Sequence, residues 1–163
     1  MREHLLGRRP RFTAYVAGLA VGLSLLAVGV EAARVRLVGP LSPAVFAGYA
    51  GIGLLGGLLL AYVVAYLNGS LVAAWTTGTI PAAGRFGARV IEGSVPDVFA
   101  GAVGTAGVGF LVGGLGFLAA TEKHRRDART AELPPPPSQA SSLGLVVASL
   151  VVGAGCLAVA MLI

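Results

Sequence analysis

Residues 45–67 read VFAGYAGIGLLGGLLLAYVVAYL, and the uncharged run around them extends from Arg36 to Arg85. At 1.5 Å per residue, about 20 apolar residues cross a hydrocarbon core of ~30 Å, so this stretch is long enough to span a bilayer. Three further stretches have the same character, at about residues 12–31, 98–120 and 142–163. A water-soluble domain of 163 residues cannot enclose so much apolar sequence, and lipid is therefore the expected solvent. The expected fold is all-α: a polytopic transmembrane helix bundle of four spans, or of five if residues 71–83 also cross.

The polar segments between the spans are short: residues 1–11, 31–44, about 68–97 and 122–142. None can bury a core of its own, since small soluble modules become marginal below ~40 residues. The chain thus reads as one integral membrane domain, residues 1–163, with a Pro-rich linker at 133–141 that includes the polyproline run Pro134–Pro137. The formal charge of +5 is carried beside the spans, by Arg2, Arg8, Arg9 and Arg11 before the first and Lys123, Arg125, Arg126 and Arg129 after the third. Basic clusters in that position orient a helix against anionic headgroups. No aromatic-interleaved surface accompanies them, so nucleic acid is not an expected partner. Arginine far outnumbers lysine, and Ala, Gly and Val dominate, which is the usage of a GC-rich, prokaryotic genome. The expected location is accordingly the cytoplasmic membrane.

Helix-start chemistry marks the boundaries. Ser42-Pro43 and Ser94-Val95-Pro96-Asp97 each offer a side-chain cap followed by proline in the first turn, and Ser141 or Ser142 is placed to cap the last span. The third span is expected to continue into water through Glu122–Arg129, with Glu122/Arg126 and Lys123/Asp127 at i, i+4 spacing. At the N-terminus, Arg8-Arg9-Pro10-Arg11-Phe12 resembles a twin-arginine signal. The apolar run after it is longer than a signal h-region and has no convincing cleavage site, so an uncleaved first span is expected.

Orientation turns on residues 71–83. They include Trp75 and Pro81, and are shorter and more interrupted than a comfortable span, which predicts a re-entrant or interfacial segment. Four crossings then divide the basic residues evenly between the two faces, whereas a fifth crossing through Leu71–Ala83 divides them eight to four. The fifth crossing would also make two similar spans parallel. Pro43-Ala44-Val45-Phe46-Ala47-Gly48 matches Pro96-Asp97-Val98-Phe99-Ala100-Gly101, and Ala50–Leu58 resembles Ala106–Leu115. Duplication and shared composition both account for the likeness.

Small residues four apart occur in every span: Gly18/Gly22, Gly53/Gly57, Gly109/Gly113 and Ser149/Gly153. Lipid supplies no hydrophobic force between helices, so close backbone approach must hold them together. Gly51-Ile52-Gly53-Leu54-Leu55-Gly56 matches a dinucleotide-binding pattern by letter, but no strand precedes it and no acidic residue follows before Glu92. Ser24, Tyr49, Tyr62, Thr105 and Ser149 are polar groups within the spans, and their expected role is hydrogen bonding to backbone or a neighbouring helix.

Catalytic, cofactor-binding and metal-ligating residues are not expected. His4 and His124 lie in separate basic flanks without spaced ligand partners, and Cys156 is a lone cysteine in an apolar stretch. The rim carboxylates Glu92, Asp97, Glu122 and Asp127 read as solvated helix-end charges. Asn68-Gly69-Ser70 is a formal glycosylation sequon, discounted because it abuts the second span. The expected protein is a non-enzymatic accessory or structural membrane component without cofactors. Its partners are the lipid bilayer and, through helix–helix contacts, other membrane proteins or a second copy of itself. The alternative is a small transporter or channel with a cavity lined by residues 71–83.

Overall fold

The computed structural model describes residues 2–130, 133 and 138–163; the polyproline run expected at Pro134–Pro137 lies outside the described residues. Every described element is a helix: α1 (Arg2–Leu6), α2 (Pro10–Val38), α3 (Pro43–Asn68), α4 (Leu71–Glu92), α5 (Val95–Asp127) and α6 (Gln139–Leu162). Four of them, α2, α3, α5 and α6, are long and apolar enough to span a membrane, matching the four apolar stretches of the sequence.

Local chemistry sets the boundaries. Pro10 opens α2, whose C-terminus closes on Gly39 at a φ of 86°. Ser42 precedes Pro43 at the start of α3, and Ser94 precedes α5, donating from both its N–H and its hydroxyl to Asp97 Oδ2 at 2.9 and 2.7 Å. The last span is capped by Ser138, which accepts from the Ser141 N–H at 3.3 Å. The helix therefore starts earlier than a cap at Ser141 or Ser142 would allow. α5 continues past its apolar part to Asp127, carrying both expected i, i+4 ion pairs, Lys123–Asp127 and Glu122–Arg126.

Residues 71–83 differ from expectation. They are neither short nor re-entrant but the first half of α4, a continuous helix of 22 residues, about 33 Å long at 1.5 Å per residue. No residue from Leu71 to Gly84 is exposed, because α4 packs against α2, α3 and α5 at once. A helix wrapped by other helices is solvated by protein and need not be apolar. Its Thr76 and Thr77 hydroxyls donate to the Ala73 carbonyl at 3.0 and 2.9 Å, and Thr79 donates to the Thr76 carbonyl at 2.7 Å. Each is thus satisfied within the helix.

Packing fixes the direction of every helix. Asn68, at the end of α3, meets Arg9 and Thr13 at the start of α2, while Arg125 near the end of α5 meets Ser142 at the start of α6. At the opposite end, Gly84 of α4 faces Ala27 and Glu31 of α2, Arg85 lies over Phe46 of α3, and Gly101 of α5 abuts Phe86. The chain therefore traverses the bundle five times, with α3 and α5 parallel to one another and antiparallel to α2, α4 and α6. The near-repeated segments Pro43–Gly48 and Pro96–Gly101 consequently start two parallel helices. Their glycines also do the same job: Gly53 and Gly57 cradle Pro81 of α4, and Gly109 and Gly113 receive the α4 backbone around Trp75 to Thr79.

In this arrangement the N-terminal end of the bundle carries eight basic residues and the other end Arg34, Arg36, Arg85 and Arg89. Reporters fused to the N- and C-termini are expected to report opposite sides of the membrane, with Lys123–Arg129 on the same side as the N-terminus. Termini on the same side would rule out a crossing by α4.

Candidate functional site

The spans' interior is closed by direct contact. Phe117, Leu71, Ala61, Ala65, Ala74, Ala120 and Val146 form one buried cluster. Trp75 packs edge-on against Phe110 with ring centroids 4.9 Å apart, and its indole N–H donates to Ser149 Oγ at 3.1 Å. Ser149 donates in turn to the Leu145 carbonyl, Thr105 donates to the Gly101 carbonyl, and Ser24 lies 3.4 Å from the Thr79 hydroxyl. These span hydroxyls have the expected partners, on their own backbone or a neighbouring helix. Cys156 is half-buried where α6 passes Gly107. Tyr62 and Tyr66 stack 6.1 Å apart, whereas Tyr49 is exposed.

Polar groups gather at the two ends. At the N-terminal end the organising residue is Asn68, which is 2% exposed. Its Oδ1 accepts from the Arg9 N–H at 2.8 Å, and its Nδ2 donates to Thr13 Oγ1 at 2.7 Å and toward the Leu6 and Arg9 carbonyls. Gly69 adopts the left-handed conformation, φ 68° and ψ 23°, and ends α3. Ser70 at once caps α4 by accepting from the Ala73 N–H, and it donates to the Leu5 carbonyl at 2.9 Å. The sequon residues are thus a helix stop, a two-residue turn and a helix start, and they tie α1 onto the end of the bundle.

Around this knot the charges pair off. Tyr66 donates to Asp127 Oδ2 at 2.7 Å, and Lys123 pairs with the other oxygen. Glu122 takes Arg125 at 2.8 Å and Arg126 at 3.5 Å. Arg8 Nη2 lies 3.4 Å from Nε2 of His124, a buried residue edge-on to Tyr66. At the other end Glu31 forms a bidentate pair with Arg34 at 2.7 and 2.8 Å, and Arg34 also donates to the Gly39 carbonyl. The rim carboxylates are not brought together: Asp97 caps α5 at one end, Glu122 and Asp127 pair with cations at the other, and the Glu92 side chain lies outside the described residues. Among the described residues no group of three or more His, Cys, Asp or Glu is placed to hold a metal ion.

One feature was not legible in the sequence. Where α4 and α6 diverge on either side of α5, a cavity of about 270 Å³ opens. Arg85 and Arg89 line it, with Phe86, Val108, Leu157 and Met161. Gly101 forms part of its wall because the Phe86 ring and the Arg89 stem leave no room there for a Cβ. In the sequence the two arginines serve only as topological charges. Their i, i+4 spacing around Phe86 was the available signal, since it places both on one helix face. No protein-family model, curated protein or solved structure matches this chain.

Proposed function

We propose that this multi-pass membrane protein is a non-enzymatic accessory or structural component of a prokaryotic cytoplasmic membrane, acting through contacts of its helices with other membrane proteins. The observation that carries the reading is the distribution of helix contacts. α4 and α5 are enclosed, whereas α2 has its main contact with α4 alone and α6 with α5 alone. α2 keeps Tyr15, Gly18, Gly22 and Leu25 on its outer side, and no atom lies within 4 Å of a Cβ added at either glycine. A face of this kind admits the close approach of a second helix.

The rival reading, a channel lined by residues 71–83, has less support. Gly78 meets the backbone of Gly109 and Gly113, and Pro81 fills the space over Gly53 and Gly57, so that segment is packed against its neighbours. A photo-crosslinking residue at Gly22, activated in intact membranes, is expected to trap a discrete protein adduct. Adducts to lipid alone would overturn the proposal.

A further inference from the structure

The cavity beside Arg85 and Arg89 has the polarity of an amphiphile. Arg89 lies three residues from the end of α4, and Val108 thirteen residues into α5. The lining on α5 extends from Ala100 to Val108, about 12 Å at 1.5 Å per residue. Guanidinium groups occupy the outer part, and Val108 and Leu157 the inner part. That order matches the outer part of one bilayer leaflet, with a headgroup outside and the upper part of the ~30 Å core within.

Charge narrows the occupant. Among the described residues neither arginine forms an ion pair within 4 Å: Arg85 stacks over the Phe46 ring at 4.9 Å, and Asp97, hydrogen-bonded to Ser94, acts on Arg89 only through longer-range attraction. Stacking on a ring face leaves the edge N–H groups of a guanidinium free to donate, and that fork suits a phosphate. The volume is small for a whole ligand but sufficient for the headgroup linkage and upper chain of a lipid whose remainder stays in the bilayer. We infer that the groove between α4 and α6 binds one anionic phospholipid of the leaflet at the α4 C-terminal end, its phosphate on Arg85 and Arg89 and an acyl chain along Val108 and Leu157.

Native mass spectrometry of the purified protein in micelles containing equal amounts of phosphatidylglycerol and phosphatidylcholine tests this. The wild-type chain is expected to retain phosphatidylglycerol about tenfold over phosphatidylcholine, a factor consistent with two basic contacts. Arg85→Gln with Arg89→Gln is expected to abolish the preference. Arg36→Gln, an exposed arginine at the same end, should leave it unchanged. Equal retention of the two lipids by the wild type overturns the inference without recourse to any variant. So does an equal loss in Arg36→Gln, which would mean diffuse surface attraction. Displacement of the lipid by inorganic phosphate overturns it as well, by identifying a free-anion site.

Discussion

Replacing Gly113 by leucine is expected to prevent the bundle from assembling, and replacing it by alanine to cost about 1–3 kcal/mol, the usual range for overpacking. A Cβ at this position would stand 2.6 Å from the Ala74 carbonyl oxygen and from the N and Cα atoms of Trp75. Carbon atoms pack at about 3.5–4.0 Å, so α4 and α5 would have to separate by roughly 1 Å. The obstructing atoms are backbone, so no rotamer change relieves the clash. α4 cannot retreat either, since Pro81 is seated against Gly53 and Gly57 of α3 on another side. Unfolding by titration with a denaturing detergent, followed by the fluorescence of the single Trp75, gives the measurement. Gly18→Leu, at an exposed position with nothing within 4 Å, should change stability by no more than about 0.5 kcal/mol. Equal stability of the Gly113 and Gly18 variants would mean that α4 does not pack on α5 as described.

The second large effect is expected at Asn68. Leucine there preserves volume but removes an acceptor from the Arg9 N–H and a donor to Thr13 Oγ1 in a site closed to solvent. A buried polar group left without its partner costs about 1–3 kcal/mol. Asn68→Leu should therefore lower stability by roughly 2–4 kcal/mol when both partners stay buried. Alternatively, α1 and the start of α2 detach and regain water. Detachment is visible as trypsin cleavage after Arg8 in vesicles that present this end outward, at a rate well above that of the wild type. A variant with neither lowered stability nor faster cleavage would show that Asn68 does not tie the N-terminal segment down.

These two positions illustrate how unevenly the sequence could be read. Gly109 and Gly113 stood out as a small-residue pair, and their role in close approach follows from the physics of lipid-embedded helices. Which helix would come close was not legible. The pairs at Gly53, Gly109 and Ser149 join helices of one chain, whereas Gly18 and Gly22 remain outside. Asn68-Gly69-Ser70 is a sequon by its letters, but Gly69 and Ser70 also carry an ordinary helix-stop and helix-start signature. That signature starts a helix at Leu71, where α4 begins.

Composition and span length alone determined that the chain is helical, that lipid surrounds it, and where four of its helices lie. Each of those conclusions depends on the exchange between side chain and solvent, which is a property of a segment by itself. Tertiary structure decided the fate of α4 and the existence of the Arg85–Arg89 cavity. A helix enclosed by protein is freed from the hydropathy that lipid demands, so its alanines, threonines and Pro81 gave no sign of a helix running the length of the bundle. A groove between diverging helices depends on how α4 and α6 lean on α5, a relation that no single stretch of residues encodes.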